Sequence, residues 1–270
     1  MADDKQRFRS CSCQSETEFW WAVSDENKAS VTILYEIMIQ EDKLMNLLEI
    51  KNLSKSFQKK KRVRSILNGL NVNFRGGEVA AIMGPSGCGK STLLNILGGI
   101  LAPDAGEILY NGSQINLENR EETEKYRLNS IGYVLQDFAL MGDRTVYQNV
   151  ELPLKIRKIK DADRQKKIYE ALKKVGMDTL DDSFAGTLSG GEQQRVAIAR
   201  TMSYNPDIVL ADEPTGALDE ANSVMVMKLL RGMAAEGKIV IVVTHDAGVA
   251  KKCDVVYRLS EGQLIGQMGE

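Results

Sequence analysis

The chain has 270 residues, 43% of them hydrophobic and 27% charged, and its formal net charge is −2 at pH 7. This composition is typical of a globular protein and excludes collagen-like, fully disordered and disulfide-scaffold classes, and the near-neutral charge gives no reason to expect nucleic acid as a partner. Because no apolar run approaches the roughly 18 residues of a membrane span and four cysteines make no disulfide framework, we expect a reduced, cytoplasmic protein.

Residues 1–45 differ from the rest of the chain, since they contain no glycine and no clean periodicity. They include Trp20-Trp21 and a CxC pair, Cys11 and Cys13, whose metal-binding interpretation is weak because no matching second pair follows. We predict an N-terminal extension, either disordered or read from an upstream start codon. The alternative is an amphipathic arm that contacts a partner.

From residue 46 onward, strands alternate with helices, which predicts an α/β fold. Helices are predicted within 144–175, and the turn dipeptide Asn111-Gly112 predicts a hairpin. The later apolar runs have the length and continuity of strands buried on both faces. The predicted strands are Leu47–Phe57, Ile66–Phe74, Val79–Met83, Ile131–Leu135, Ile208–Ala211 and Lys238–Val243.

A phosphate loop, residues 84–91, matches the pattern G-x-x-x-x-G-K-[ST] between a predicted strand and a predicted helix, Thr92–Leu97. Its glycines let backbone N–H groups face phosphates at a helix start, while Lys90 reaches the β- and γ-phosphates and Ser91 binds Mg²⁺. A chance Gly-rich turn would not explain these flanks. The predicted nucleotide-binding residues here are Gly84, Pro85, Ser86, Gly87, Cys88, Gly89, Lys90, Ser91 and Thr92.

Two carboxylates, Asp212 and Glu213, end the apolar strand that begins at Ile208. Strand ends meet at the rim of a parallel sheet, where ligands bind. We predict that Asp212 holds Mg²⁺ and that Glu213 is the general base for an attacking water. An acidic turn that opens a helix is the alternative.

The chain contains one histidine, His245, directly after the predicted strand Lys238–Val243. A lone histidine is usually a satisfied surface or core residue. This one follows a buried strand at the rim where a γ-phosphate is expected, so we predict that it belongs to the site.

The Ser-Gly-Gly segment, residues 189–191, opens a second helix. Ser189 is a good N-cap, and Gly190 and Gly191 leave backbone N–H groups open, which predicts a second anion site. Two phosphate-binding helix starts with one nucleotide site per chain favour a dimer, in which the second start of one chain caps the other chain's nucleotide.

The order of these motifs, together with Gln136 and the segment 216–219, resembles the nucleotide-binding subunit of ABC transporters. The resemblance covers about residues 46–270, and the runs 82–87 and 211–219 are most similar to the branch that exports lipoproteins, macrolides and antimicrobial peptides. It implies an α/β fold: a phosphate-loop core sheet, an antiparallel β subdomain and a helical subdomain over about 137–187. It also implies ATP and Mg²⁺ as ligands.

The resemblance further implies roles for single residues. Phe57 stacks on adenine, although a plain strand hydrophobe is the alternative. Gln136 contacts Mg²⁺ and the attacking water. His245 hydrogen-bonds the γ-phosphate. Ser189 and Gly191 touch the γ-phosphate on the opposite subunit, with Gly190 in the same nucleotide-binding set, and Asp219 bridges the subunits next to the attacking water.

The implied function is ATP binding and hydrolysis by a homodimer that drives a membrane permease from the inner face of the cell membrane. The permease is expected to dock a cytoplasmic helix beside the Gln136 loop. A soluble ABC-type ATPase, such as one for iron–sulfur cluster assembly, is the alternative. A small-molecule kinase would leave the Ser-Gly-Gly segment unexplained.

The basic run 59–62 and Cys88 each have an alternative interpretation without a functional role. The basic run 59–62 is expected to be a solvated loop rather than a nucleic-acid contact. Cys88 lies in the phosphate loop near a helix start, so alkylation is predicted to block ATP binding. A small residue chosen only for its size is the alternative.

Overall fold

The computed structural model describes residues 46–59 and 62–268. The predicted extension, with Cys11, Cys13 and the Trp20-Trp21 pair, lies outside the described residues, as do Lys60 and Lys61 of the basic run. The domain boundary at residue 46 therefore stays a prediction.

The described chain alternates between strands and helices, as expected. The strands are β1 (Leu47–Lys59), β2 (Arg62–Arg75), β3 (Val79–Met83), β4 (Ala105–Tyr110), β5 (Ser113–Gln114), β6 (Ile131–Leu135), β7 (Ile208–Asp212), β8 (Ile239–Val243), β9 (Val255–Ser260) and β10 (Gln263–Met268). The α-helices are α1 (Lys90–Leu97), α2 (Arg120–Asn129), α3 (Val146–Ile156), α4 (Asp161–Lys174), α5 (Gly190–Ser203), α6 (Glu220–Ala235) and α7 (Ala247–Ala250). A 3-10 turn covers Ala185–Thr187.

The larger sheet has the strand order β10-β9-β3-β8-β7-β6, and only the β9–β10 pair within it is antiparallel. Its central strands β3, β7 and β8 are buried almost throughout, as their continuous apolar sequences predict. Leu135 pairs with Asp212 and Asp212 pairs with Val243, so the carboxyl ends of β6, β7 and β8 meet at one edge.

A second, antiparallel sheet has the order β2-β1-β4-β5. The predicted hairpin is present between β4 and β5, with positive φ at both Asn111 (50°) and Gly112 (76°). Together the two sheets and their helices confirm the α/β fold with a phosphate-loop core sheet and an antiparallel β part.

The core divides between the two faces of the larger sheet because successive side chains along a strand point to opposite faces. Ile82, Leu210 and Ile241 pack with α1 and with the antiparallel sheet. Ala81, Ala211 and their neighbours pack with α3, α4, α5 and α6 on the other face.

The range 137–187 contains α3, α4 and the 3-10 turn. The apolar faces of α3 and α4 share one core cluster with α5, whose residues include Val196 and Ile198. A separate helical subdomain in this range stays a prediction. None of the helices in residues 46–59 and 62–268 is both long and apolar enough to cross a bilayer.

Candidate active site

The phosphate loop joins β3 to α1, which begins at Lys90, two residues before the predicted helix start at Thr92. Gly87 (φ 74°) and Gly89 (φ 113°) occupy the left-handed region, which favours glycine. A Cβ atom at Gly89 would lie 2.7 Å from Cγ2 of Ile66, and one at Gly84 would lie 2.6 Å from the carbonyl oxygen of Leu259. The glycines therefore let the loop pack against β2 and β9 without a side chain in between.

Lys90 turns its ammonium group back over the loop, where Nζ donates to the carbonyl oxygens of Gly84 (2.7 Å) and Pro85 (3.1 Å). No side chain caps the start of α1, and its first turn carries no acidic residue. Free backbone N–H groups, the positive end of the helix dipole and one ammonium thus meet at this point. That combination suits a phosphate group.

Asp212 lies at the carboxyl end of β7, half-buried beside this loop. Burial, and then the charge of Glu213, raise the pKa of its carboxyl group, while Lys90 and a hydrogen bond from Ser91 act in the opposite direction. A half-buried carboxylate next to another carboxylate and a serine hydroxyl offers oxygen ligands with excess negative charge. These residues therefore fit a Mg²⁺ ion.

The Glu213 carboxylate is held from three directions. Thr244 Oγ1 donates to Oε2 at 3.1 Å, the backbone N–H of His245 donates to Oε1 at 3.1 Å, and Nδ1 of the His245 ring lies 2.7 Å from the same oxygen. The carboxylate is 16% exposed and the histidine ring is 72% exposed. A base held in this way has a fixed direction towards its substrate.

The backbone of Glu213 is itself unusual, with a positive φ of 45°. Such a conformation costs about 1 to 2 kcal/mol for a residue with a side chain. Its N–H donates to Val243 of β8 (2.9 Å) and its carbonyl oxygen accepts from Gly216 (3.0 Å), and these bonds hold the conformation. A Cβ atom at Gly216 would lie 3.2 Å from Nε2 of Gln136, so Gln136 lies beside the same turn.

Phe57 lies on β1 with 43% of its surface exposed, and Nζ of Lys55 stands 5.8 Å from the ring centroid. Its partner in the strand register is Arg64 on β2, which donates from Nη2 to the carbonyl oxygen of Gly87 at 3.2 Å. An exposed aromatic ring and the phosphate loop are thus linked through one arginine.

The Ser-Gly-Gly segment starts α5, as predicted, with Ser189 as an exposed N-cap. A capping box is complete: Ser189 accepts from the N–H of Glu192, and the Glu192 carboxylate accepts from the backbone N–H (2.8 Å) and the hydroxyl (2.6 Å) of Ser189. These bonds lower the pKa of Glu192. The box leaves the N–H groups of Gly190 and Gly191 outside its own hydrogen bonds, as the second anion site requires.

Asp219 caps α6 and accepts from the backbone N–H of Asn222 (2.8 Å) and from its Nδ2 (2.9 Å). These two bonds lower the pKa of Asp219. The structure thus brings Lys90, Ser91, Asp212 and Glu213 together at one sheet edge. It places Asp219 and the Ser-Gly-Gly segment at two neighbouring helix starts.

Three contacts were missed by sequence reasoning. Thr244 orients Glu213, as described above. Arg200 of α5 donates to the carbonyl oxygens of Phe138 (2.9 Å) and Ala139, two consecutive residues with positive φ of 60° and 46° in the loop after Gln136. Asn222 touches both Asp219 and the start of α5. A polar residue inside an apolar helix sequence is the one signal that marks Arg200.

Comparison with known proteins places these features in a family context. Residues 67–216 match the model of the ABC transporter family. The chain is 39% identical to the lipoprotein-releasing system ATP-binding protein LolD of Blochmanniella floridana, over 79% of this chain and 91% of that protein. It is 38% identical to the macrolide export ATP-binding/permease protein MacB of Acinetobacter baylyi, over 81% of this chain and 33% of that longer protein.

A solved structure is also similar. The dimeric ATP-binding cassette MJ0796 of Methanocaldococcus jannaschii, in a post-hydrolysis state bound to ADP and Pi, superposes with a TM-score of 0.75 at 38% identity. The match covers 83% of this chain and 99% of that one.

Proposed function

This chain belongs to the ABC transporter family as an ATP-binding and ATP-hydrolysing protein, and on that premise we propose that two copies close around ATP and drive a membrane permease. The proposal depends on one observation: Lys90, Asp212 and Glu213 lie together at one edge of the larger sheet. The helix that starts beside them has no acidic residue in its first turn. Phosphate binding, cation binding and water activation each have a group at this edge.

Nucleotide binding begins with the phosphate loop. The β- and γ-phosphates accept from its backbone N–H groups, and Lys90 exchanges its bonds to Gly84 and Pro85 for phosphate oxygens. The exposed ring of Phe57 stacks on adenine.

Mg²⁺ would be held by Ser91, Asp212 and Gln136. When bound, the ion neutralises charge on the β- and γ-phosphate oxygens. The raised pKa of Asp212, caused by burial and by Glu213, supports this assignment because a divalent cation relieves the same excess of negative charge.

Hydrolysis uses Glu213 as the general base. One water proton passes to a carboxylate oxygen of Glu213, the water oxygen bonds to the γ-phosphorus, and the bond to the β-γ bridging oxygen breaks. Thr244 and the backbone N–H of His245 keep the carboxylate aimed.

Whether His245 can donate to the γ-phosphate depends on which of its ring nitrogens carry hydrogen. The Glu213 carboxylate only accepts, so Nδ1 carries a hydrogen in the observed contact. In the neutral ring Nε2 is then an acceptor. Donation from His245 to the γ-phosphate therefore requires the imidazolium form, or a ring that has left Glu213.

We infer a dimer because each chain has one phosphate loop, while the Ser-Gly-Gly segment provides a second helix start that suits a phosphate. The Ser-Gly-Gly segment and Asp219 act on the partner's nucleotide. The MJ0796 cassette, solved as a dimer with ADP and Pi, supports this arrangement.

The permease docks near the Gln136 loop, against the helices within 137–187, and holds the ATPase at the cytoplasmic face of the membrane. Exposed apolar side chains of this region, Met141, Tyr169 and Phe184, support such a contact. The names of LolD and MacB support export of a lipoprotein, peptide or antimicrobial compound as the driven process. Residues 1–45 are proposed to lie outside this domain of 46–270.

The test is a pull-down from native membranes with tagged Glu213→Gln and ATP, with partners identified by mass spectrometry. The matched control adds Lys90→Ala to the same protein. We expect a polytopic membrane protein with a large extracytoplasmic domain, captured only when Lys90 is intact. Recovery of soluble partners or nucleic acid alone would overturn the permease and favour a cluster-assembly or DNA-linked ATPase.

A further inference from the structure

Asn222, in the first turn of α6, contacts both Asp219 and the start of α5. Its backbone N–H and its Nδ2 donate to the two carboxylate oxygens of Asp219, at 2.8 and 2.9 Å. On its other side, Oδ1 accepts from Nη1 of Arg195 on α5 at 3.0 Å. The amide thus uses its donor on the start of α6 and its acceptor on the second turn of α5.

The same amide lies directly against the Ser-Gly-Gly segment. A Cβ atom at Gly191 would stand 2.3 Å from both Cγ and Oδ1 of Asn222, so only glycine admits this approach. Asn222 is half-buried, while Asp219 and Ser189 are exposed. The contact therefore sits behind the two exposed groups and connects them.

We propose that Asn222 is a positioning residue that fixes the spacing between Asp219 and the Ser-Gly-Gly segment, so that both meet the partner's nucleotide at once. Asn222 touches no nucleotide in this role. The inference rests on the proposed ATP-bound dimer and adds to it the element that makes two separate helix starts act as one surface.

An asparagine serves this purpose because it donates to a carboxylate and accepts from a guanidinium. An aspartate of the same shape would keep the bond from Arg195 but would set two carboxylates against each other. Such a pair shares a proton, which raises the pKa of one of them. A leucine would keep the volume and lose both hydrogen bonds at every pH.

The charged groups around this position are few. Arg195 and Glu192 come from α5, and Asp219 and Glu220 come from the start of α6. In the natural chain the pKa of Asp219 is lowered by its bonds from Asn222, so Asp219 stays ionised from neutral to mildly acidic pH. Only the Asn222→Asp variant introduces a group pair that titrates in that range.

The experiment uses the full chain with Glu213→Gln as the parent, and compares Asn222→Asp and Asn222→Leu with Ser223→Asp as the control of equal charge. Each protein is titrated with a fluorescent ATP analogue, and ATP-dependent dimerisation is followed by light scattering from about pH 8 to about pH 5.5. Melting temperatures verify that each variant is folded.

We expect nucleotide affinity of the monomer to stay within about twofold in all three variants. Dimerisation should weaken about tenfold in Asn222→Asp at the higher pH, which corresponds to one pKa unit of interaction, and should recover as the pH falls. Asn222→Leu should be weak throughout, and Ser223→Asp should behave as the parent.

Two failures are distinguishable. A parent that stays monomeric with ATP would overturn the proposed dimer, and this inference with it. A parent that dimerises while both Asn222 variants dimerise equally well at every pH would overturn the role of Asn222 alone.

Discussion

The starts of α1 and α5 look alike in sequence, since each carries glycines next to a serine, yet they are built differently. At α1 the cap is a left-handed glycine, no side chain caps the helix, and the first turn holds a lysine and no acid. At α5 a complete capping box puts the Glu192 carboxylate against Ser189. The first is therefore ready for a phosphate, whereas at the second an incoming phosphate must approach a carboxylate.

This difference orders the events at the two helix starts. A highly charged anion binds first where cation and free N–H groups meet without opposition. The start of α5 gains from a phosphate only when other contacts bring one close. A chain that binds nucleotide alone and then pairs with a second chain follows from this asymmetry.

The largest effects are expected when one methyl group is added at each helix start. Gly89→Ala places a Cβ atom 2.7 Å from Ile66 at a φ of 113°, so we expect monomer affinity for ATP to fall about 100-fold. Gly191→Ala places one 2.3 Å from Asn222. It should leave monomer affinity within about twofold and reduce ATPase turnover about 100-fold. Equal loss of monomer binding in both variants, measured by isothermal titration, would contradict the distinction.

Alkylation of Cys88 addresses the α1 start alone. Sγ of Cys88 lies so near Gly84 that a Cβ atom there would be 2.7 Å away, so an added group must displace the loop. We expect stoichiometric labelling to lower ATP affinity at least about tenfold, and ATP to slow the labelling.

Cys88→Ser is the matched control, since it keeps the size and removes the thiol. Cys253 is buried, which raises its pKa to about 12 and keeps it unreactive. Full ATPase activity after complete labelling of Cys88 would refute this prediction.

Glu192→Gln tests whether the carboxylate at the start of α5 opposes an incoming phosphate. The amide retains the capping geometry and removes the negative charge beside the second anion site. We expect ATP-dependent dimerisation in a Glu213→Gln parent to strengthen by about two- to fivefold, the range of a helix-end charge. Light scattering measures the dimer, and Glu220→Gln, in the first turn of α6, is the control.

Acid stability follows from the same carboxylate. The pKa of Glu192 is lowered in the folded chain, so its stabilisation is present above the ordinary value of 4.5 and is lost as the pH falls through the lower folded value. In Glu192→Gln the melting temperature should therefore fall less steeply on acidification. An unchanged slope would show that Glu192 makes no net contribution.

The smallest expected effect on stability concerns Asp212, whose pKa is raised by burial and by Glu213. A raised carboxyl pKa means that the ionised form is disfavoured in the folded chain, so Asp212→Asn should raise the melting temperature of the nucleotide-free protein at neutral pH by about 2 °C. Mg²⁺-dependent ATP hydrolysis should be lost in the same variant. A lower melting temperature would mean that attraction to Lys90 and the bond from Ser91 outweigh the burial of the carboxylate and its repulsion by Glu213.

Sequence patterns predicted the parts of the fold in which local signals agree. The uninterrupted apolar runs of β3, β7 and β8 marked buried parallel strands, and the residues after them fell at one edge. Where signals were weak, assignments were incomplete. β2 begins at Arg62 rather than at Ile66, and its first four residues, two of them arginines, are exposed, so they lack the apolar pattern of a strand. α2 was not assigned because Tyr126 is its one buried residue.

Contacts within the candidate site were harder to predict than its members. Arg200, Thr244 and Asn222 reach residues 62, 31 and 27 positions away, respectively, in sequence. No local pattern encodes such distances, since they arise only when the sheet and α5 assemble. The break between α3 and α4, where Lys158 adopts a φ of 56°, lies within the predicted helical range 144–175 and has no glycine to mark it in the sequence.

The bonds from Arg200 to Phe138 and Ala139 attach α5 to the loop after Gln136. Ser189 caps the amino-terminal end of this helix. Arg200, which bonds to the loop, lies about 16 Å further along the helix axis, at 1.5 Å per residue. Because α5 is a continuous, stiff helix, a displacement of this loop should tilt the helix and move its first turn. We expect a displacement of the loop beside Gln136 to reach the Ser-Gly-Gly segment along α5.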